Sequence, residues 1–129
     1  MPRRREPDPL AQAVGQRIRQ LREEAGLTME KLAFESELGS KGHLSNIERG
    51  LVRPTVQTLQ VLADRLGVLL LDLVTFPERD ERQNLIDRTR SLPRGTLKKL
   101  AKELDPPKLS VAAPPEPARK SRRRNKSEA

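Results

Sequence analysis

The residues of this chain that could do specific chemistry are concentrated between positions 40 and 53, and most of them are hydrogen-bond donors. Lys41 carries an ammonium group that can donate to guanine O6 and N7, and Asn46 carries an amide that can pair with adenine N6 and N7. Gly42 has no side chain, which allows close backbone approach or leaves room for a thymine methyl group. Arg49 and Arg53 supply two further cations. Such side chains, grouped in one short polar segment, favour binding to double-stranded DNA.

The chain lacks the residues that catalysis or metal binding would need. The 129-residue chain has no cysteine and a single histidine, His43, so neither a thiolate nor a pair of imidazole ligands is available. The segment Gly39-Ser40-Lys41-Gly42 lacks the spacing and the preceding strand of a phosphate-binding loop. We therefore expect no enzymatic activity, no metal and no cofactor. His43 is expected to contact phosphate or a base, or else to be an ordinary surface residue.

Two short helices joined by a tight turn would hold this polar segment outward. Thr28 and Ser40 are suited to cap the two helices, and Gly50 is suited to end the second. The apolar positions at helical spacing would form the inward faces of both helices and fill the corner between them: Leu32, Ala33, Leu38, Leu44 and Ile47.

Three more helices are predicted around this pair, over residues 10–25, 54–66 and 68–76. The inward positions predicted for the first and fourth helices are Leu10, Val14, Ile18, Leu21, Ala25, Val56, Leu59, Leu62, Ala63 and Leu66. The fifth helix is apolar almost all round, and a domain of this size cannot bury every such residue. Because a fully buried leucine contributes roughly 1.5–3 kcal/mol, we expect part of this surface to meet a second copy of the chain.

This arrangement resembles the Cro/cI-type (Xre) helix-turn-helix family of bacterial and phage transcription regulators. The residues that carry the resemblance are Leu27-Thr28, Leu32-Ala33, the run LSNIERG over 44–50, Arg53-Pro54-Thr55, Leu59, Leu62-Ala63 and Leu66-Gly67-Val68. The resemblance covers residues 10–76. It implies an all-α, five-helix lambda-repressor-like domain.

The resemblance also implies a role for particular residues. The second helix of the pair, over 40–49, would enter the major groove, with Lys41, Gly42 and Asn46 at the base edges. The full set assigned to DNA is Thr28, Ser40, Lys41, Gly42, His43, Ser45, Asn46, Arg49 and Arg53. Arg22 and Glu48 would form an ion pair that joins the first helix to the end of the third. The alternatives are ordinary surface roles for Lys41 and Asn46, and no pairing between Arg22 and Glu48.

Three positions depart from the family pattern. Met29 stands where a glutamine usually anchors the second helix on phosphate. The turn over 37–40 is one residue longer than usual, which could shift the base contacts by one position. Leu69 occupies a place where a polar helix cap is common.

The flanks carry most of the +8 net charge, because residues 10–76 contain 8 basic and 8 acidic side chains. Residues 1–9 are predicted to be a disordered basic arm, and residues 106–129 a disordered, proline-rich basic tail. The arm is either simply solvated or touches phosphate or the minor groove beside the main site, and the tail is either solvated or attracted to phosphate. Residues 77–105 are predicted to form a helical extension of two helices, which either packs on the domain or extends a dimer interface.

These observations predict a cytoplasmic, sequence-specific transcription regulator, a repressor acting as a homodimer on a two-fold symmetric operator. The alternative is a regulator whose main contact is another protein, such as an antitoxin or a co-regulator. Met29 and the neutral domain charge favour that alternative, whereas the cationic segment from Lys41 to Arg53 favours DNA. The sequence predicts no signal peptide and no membrane association, because its most apolar run is too short to span a bilayer.

Overall fold

The computed structural model describes residues 6–105, and these residues form seven α-helices and no strand. The helices are α1 (Pro9–Glu24), α2 (Met29–Glu35), α3 (Lys41–Glu48), α4 (Val56–Leu66), α5 (Leu70–Leu73), α6 (Glu81–Arg88) and α7 (Arg94–Leu104), with a 3-10 turn at Thr89–Ser91. The predicted all-α class is confirmed. The predicted tail over 106–129 lies outside the described residues, as do residues 1–5 of the predicted arm.

Local capping explains where the helices begin. Thr28 Oγ1 accepts a hydrogen bond from the Lys31 backbone N–H at 3.0 Å, and Ser40 Oγ accepts from the His43 N–H at 3.1 Å. α1 starts one residue earlier than predicted, because Asp8 caps it through the Ala11 N–H and Pro9 occupies the first helical position. The last two residues of the predicted arm therefore belong to the start of α1.

One apolar cluster lies between α1 and the helices packed against it. α1 packs on α3 and α5, α2 packs on α3 and α4, and α4 packs on α5. The buried members of the cluster are Val14, Ile18, Leu21, Leu32, Ala33, Leu44, Ile47, Val52, Leu62, Ala63, Leu66, Leu73 and Phe76. Leu38 is partly buried against this cluster, at the corner between α2 and α3.

The ends of two predicted inward stripes are exposed. Leu10 and Val56 are 60% and 69% exposed, and Ala25, after the end of α1, is also exposed. Leu10 and Val56 each lie in the first turn of a helix, at the end of the predicted stripe. Periodicity identified the correct face of α1 and α4 but overestimated the length of that face that is covered.

The predicted fifth helix is much shorter than residues 68–76, because α5 contains only four residues. The side chain of Asp72 accepts a hydrogen bond from the Leu69 N–H at 2.9 Å, so it caps the helix that Leu69 itself cannot cap. Thr75 donates its hydroxyl to the Leu71 carbonyl oxygen at 2.8 Å, in the segment that ends the helix. Leu69, Leu71 and Val74 remain exposed on this part of the surface.

The described residues divide into two compact units, with the boundary between Ser91 and Leu92. In the first unit, α6 is attached through Arg17 of α1, which is buried and forms an ion pair with Asp87. The same guanidinium donates from Nε to the Asp72 carbonyl oxygen at 2.8 Å. The first unit includes residues 77–91, and the Arg17–Asp87 pair lies within it.

The second unit contains α7, whose side chains are all exposed. Leu97, Leu100 and Leu104 recur at intervals of three and four residues and so form one stripe along the helix. The predicted division of residues 77–105 into two helices agrees with the structure, except that Arg94 and Gly95 begin α7 instead of separating the helices.

Candidate nucleic-acid interface

The candidate interface is the polar face of α3, which rests on a fully buried apolar base. Leu44 and Ile47 are completely buried against the core. On the remaining positions, Lys41 and Gly42 are exposed, while His43, Ser45 and Asn46 are half-buried. The core therefore fixes one side of α3 and leaves the side predicted to face DNA accessible.

A buried ion pair holds the end of α3 against α1. Arg22 Nε donates to Glu48 Oε2 at 2.7 Å, and a second guanidinium nitrogen donates to Glu48 Oε1 at 3.2 Å. The remaining terminal nitrogen of Arg22 donates to the Leu27 carbonyl oxygen at 2.9 Å. The hydrogen bond to Glu48 raises the pKa of Arg22 above its ordinary value, despite the opposing effect of burial. This arginine thus connects α1, the entry to α2 and the end of α3.

Glycine allows a second close contact between the same helices. At Gly15 of α1, an added Cβ would lie 2.3 Å from the Ile47 carbonyl oxygen and 2.4 Å from that of Glu48. The backbones of α1 and α3 can approach this closely only because position 15 has no side chain. Gly42, in contrast, would meet nothing closer than Ser40 Oγ at 3.8 Å. Packing within the protein therefore does not require glycine at position 42.

Two of the three predicted DNA-contacting cations are paired with carboxylates. Lys41 Nζ lies 3.0 Å from Glu30 Oε2, and Arg53 lies 3.0 Å from Asp8 Oδ1. All four charged groups remain partly accessible. Arg49 caps the end of α3, and its side chain is exposed. The interface is thus cationic, but two of its positive charges are held by neighbouring acids.

Comparisons with known proteins agree on one family. The sequence model described as helix-turn-helix matches residues 18–73. An uncharacterized HTH-type transcriptional regulator, y4dJ of Sinorhizobium fredii, is 47% identical over 62 residues, which are 48% of this chain and 79% of the relative. This chain belongs to the helix-turn-helix family of transcriptional regulators. The family assignment made from its sequence is confirmed.

Two further relatives of the regulator are similar over the same part of the chain. The immunity repressor protein of Bacillus phage phi105 is 39% identical over 61 residues, which are 47% of this chain and 42% of the repressor. Control protein C.BamHI of Bacillus amyloliquefaciens is 36% identical over 63 residues, which are 48% of this chain and 76% of the relative. No solved structure is significantly similar to the chain.

Most of the predicted site residues of the regulator lie on or next to α3, whereas Thr28 and Arg53 lie apart from that helix. Ser40, Lys41, Gly42, His43, Ser45 and Asn46 lie on or directly before α3, and Arg49 follows it. Thr28 begins the neighbouring helix, and its hydroxyl is engaged as the cap of α2. Arg53 is in the loop after α3 and is drawn towards Asp8 at the start of α1.

Two acidic residues at the interface of the regulator were not identified from the sequence. Asp8 immediately precedes a proline, and this pairing is typical of a helix start, so a sequence signal for its position existed. Glu30 lies in the first turn of α2, a common place for an acid. Its contact with Lys41, eleven positions away across the turn, depends on the angle between two helices and has no periodic signal.

No helix within the described part of the chain is both long and apolar enough to cross a membrane. Among residues 6–105, no three potential metal-ligating side chains lie close enough together to hold an ion.

Proposed function

We propose that this regulator binds double-stranded DNA sequence-specifically by placing α3 in the major groove. The observation that carries the proposal is the orientation of α3: its apolar side is fully buried, and its polar side is accessible. A helix of this size fits the major groove, where each base pair presents a distinct pattern of donors and acceptors. The relatives are named as an HTH-type transcriptional regulator, an immunity repressor protein and a control protein, which supports the proposal.

Lys41, Gly42 and Asn46 are assigned to the base edges, with Ser40, His43 and Ser45 beside them. Lys41 is suited to guanine and Asn46 to adenine, and each good pair discriminates by about 1–3 kcal/mol. Arg49, Arg53 and Thr28 are assigned to the sugar-phosphate backbone, where contacts fix orientation without reading sequence.

The regulator is further proposed to act as a homodimeric repressor in the cytoplasm, on a two-fold operator with half-sites about 10 bp apart or a multiple of that spacing. Leu69, Leu71 and Val74 form an exposed apolar surface around α5 that a second copy would cover. The helical extension contributes a separate apolar stripe on α7. The alternative, in which another protein is the main contact, is not favoured, because the relatives are named as an HTH-type transcriptional regulator and an immunity repressor protein.

A selection from random duplexes followed by anisotropy titration tests DNA binding directly. We expect a preferred duplex that binds more tightly than a scrambled one, with affinity that falls as salt rises. In competition assays, Asn46→Ala should lose discrimination at one or two bases, whereas Arg49→Ala should weaken binding to all duplexes alike. Failure to select any preferred duplex would overturn the proposal.

Sedimentation of Leu71→Glu and of Leu100→Glu tests the two dimer surfaces separately. A carboxylate placed in a covered apolar contact loses the burial energy of the leucine and must be desolvated, so the variant should dissociate at a higher concentration than the wild type. If neither substitution shifts the dissociation, neither surface mediates dimerisation.

A further inference from the structure

The first turn of α2 and the first residue of α3 meet through a pair of opposite charges. Lys41 Nζ lies 3.0 Å from Glu30 Oε2, and the two side chains are 55% and 64% exposed. The turn between the helices contains Glu37 and Gly39 with positive φ angles of 56° and 89°, so the chain reverses sharply before α3 begins. Glu30 therefore lies beside the residue proposed to contact bases, although it is on the other helix.

The chemistry of the two groups allows them to stay paired while DNA is bound. A lysine ammonium has three N–H donors, so one can remain on Glu30 while two are available for guanine O6 and N7. The hydrogen bond from Lys41 lowers the pKa of Glu30 below its ordinary value, which favours the charged carboxylate that the ion pair requires. A charged carboxylate repels phosphate but can share the ammonium with an uncharged base edge.

We propose that Glu30 determines specificity in this regulator, because it holds the Lys41 ammonium for base contacts and prevents it from binding phosphate on unrelated DNA. The inference rests on the proposed function and adds a residue of α2 to the readout that α3 is proposed to perform. It concerns the ratio of specific to nonspecific affinity, which governs selection among the many competing sites on a chromosome.

The expected effect can be bounded. Nonspecific binding arises from cations that neutralise phosphates, and each additional phosphate contact steepens the salt dependence by about 0.9 in the logarithmic slope. An exposed ion pair restrains its members only modestly, so release of Lys41 should change nonspecific affinity by about two- to fivefold. Specific affinity should change less, because Lys41 is already engaged with a base in that complex.

The test is the full-length Glu30→Gln variant, titrated with the selected duplex and with a scrambled duplex over a range of salt concentrations. Glutamine keeps the size of the side chain and removes its charge. The scrambled duplex should bind about two- to fivefold more tightly, with a slope steeper by about one, and the ratio of affinities should fall accordingly. Glu23→Gln is the matched control, because it makes the same charge change at a residue paired with Arg19 on α1.

The same substitution in a Lys41→Gln background separates positioning from simple repulsion of DNA. If Glu30 acts through Lys41, the effect of Glu30→Gln disappears in that background. An effect that persists there, or one that Glu23→Gln reproduces, overturns the inference. If the wild type does not distinguish the selected duplex from the scrambled one, the proposed function itself fails, so the two failures are distinguishable.

Discussion

Substitution of Gly15 by alanine should destabilise the first unit, although helix propensity predicts the opposite. Alanine in a helix interior is favoured over glycine by about 1 kcal/mol when nothing else changes. At position 15, however, the new Cβ would lie 2.3 Å from the Ile47 carbonyl oxygen, whereas real Cβ contacts essentially never come below 3.0 Å. The clash is with backbone atoms, so no rotation of a side chain can relieve it and α3 must move away from α1.

Overpacking of this kind costs about 1–3 kcal/mol, and the displacement also stretches the Arg22–Glu48 pair at the same end of α3. We therefore expect a net loss near 2 kcal/mol, which corresponds to a melting temperature lower by about 8–16 °C in a unit of this size. Affinity for the selected duplex should fall as well, because the moved element is the one assigned to the major groove.

Urea denaturation followed by far-UV circular dichroism measures the loss, and Gly42→Ala is the matched control. Position 42 is also helical and in the same unit, but its Cβ would meet nothing closer than 3.8 Å, so that substitution should be neutral or stabilising. Stability changes of opposite sign for the two glycine-to-alanine substitutions would support the close contact between α1 and α3. A Gly15→Ala protein as stable as the wild type would refute it and would place α3 further from α1 than the structure does.

Three further predictions concern charge. Glu48→Gln should destabilise the protein by about 3–5 kcal/mol in denaturant, because Arg22 is left as a buried charge without its counter-ion; a loss below 1 kcal/mol would mean that the pair is solvated. For Asp87, burial raises the pKa, but hydrogen bonds from two arginines outweigh burial and leave the pKa below its ordinary value. Its stabilising effect is therefore present above the unfolded-state pKa and lost as pH falls through the folded value, so Asp87→Asn should reduce the dependence of stability on pH below about 4. An unchanged acid profile in that variant would contradict the assignment. Deletion of residues 106–129 should flatten the salt dependence of DNA binding without changing the preferred duplex; a changed preference would show that these residues contact bases.

The features predicted correctly from the sequence depend on local chemistry. Thr28 and Ser40 accept backbone N–H groups within three residues, and Gly67 ends α4 in the left-handed conformation, with φ of 74°. Each signal involves neighbours in the chain, so the sequence contains all the necessary information. The inward positions of α2 and α3 follow from helical periodicity in the same way, and the structure buries Leu32, Ala33, Leu44 and Ile47 as that periodicity predicts.

Two features were missed: the attachment of α6, which depends on a distant contact, and the length of α5. Arg17 was not singled out from the sequence, yet it is buried and joined to Asp87, seventy positions away, which attaches α6 to the first unit. The length of α5 was wrong because an apolar run predicts burial but not helix length, and the cap provided by Asp72 starts the helix only at Leu70. Spacing alone cannot reveal the Arg17–Asp87 contact, because it depends on how separate helices are oriented.

The neutral total charge of residues 10–76 is compatible with a cationic interface, because the charges that matter to DNA are local. Two of the acids are buried: Glu48, 5% exposed, is neutralised by Arg22, and Asp72, 4% exposed, caps α5. At physiological ionic strength, exposed charges are screened beyond about 8 Å, so a phosphate near α3 responds to its immediate neighbours and not to the sum over the domain. Glu30 forms an ion pair with Lys41 and is therefore such a neighbour, whereas Glu23 contributes only to the total charge of the domain. The two variants, Glu30→Gln and Glu23→Gln, have the same net charge. A difference between their affinities for DNA would therefore measure the effect of where the charge lies.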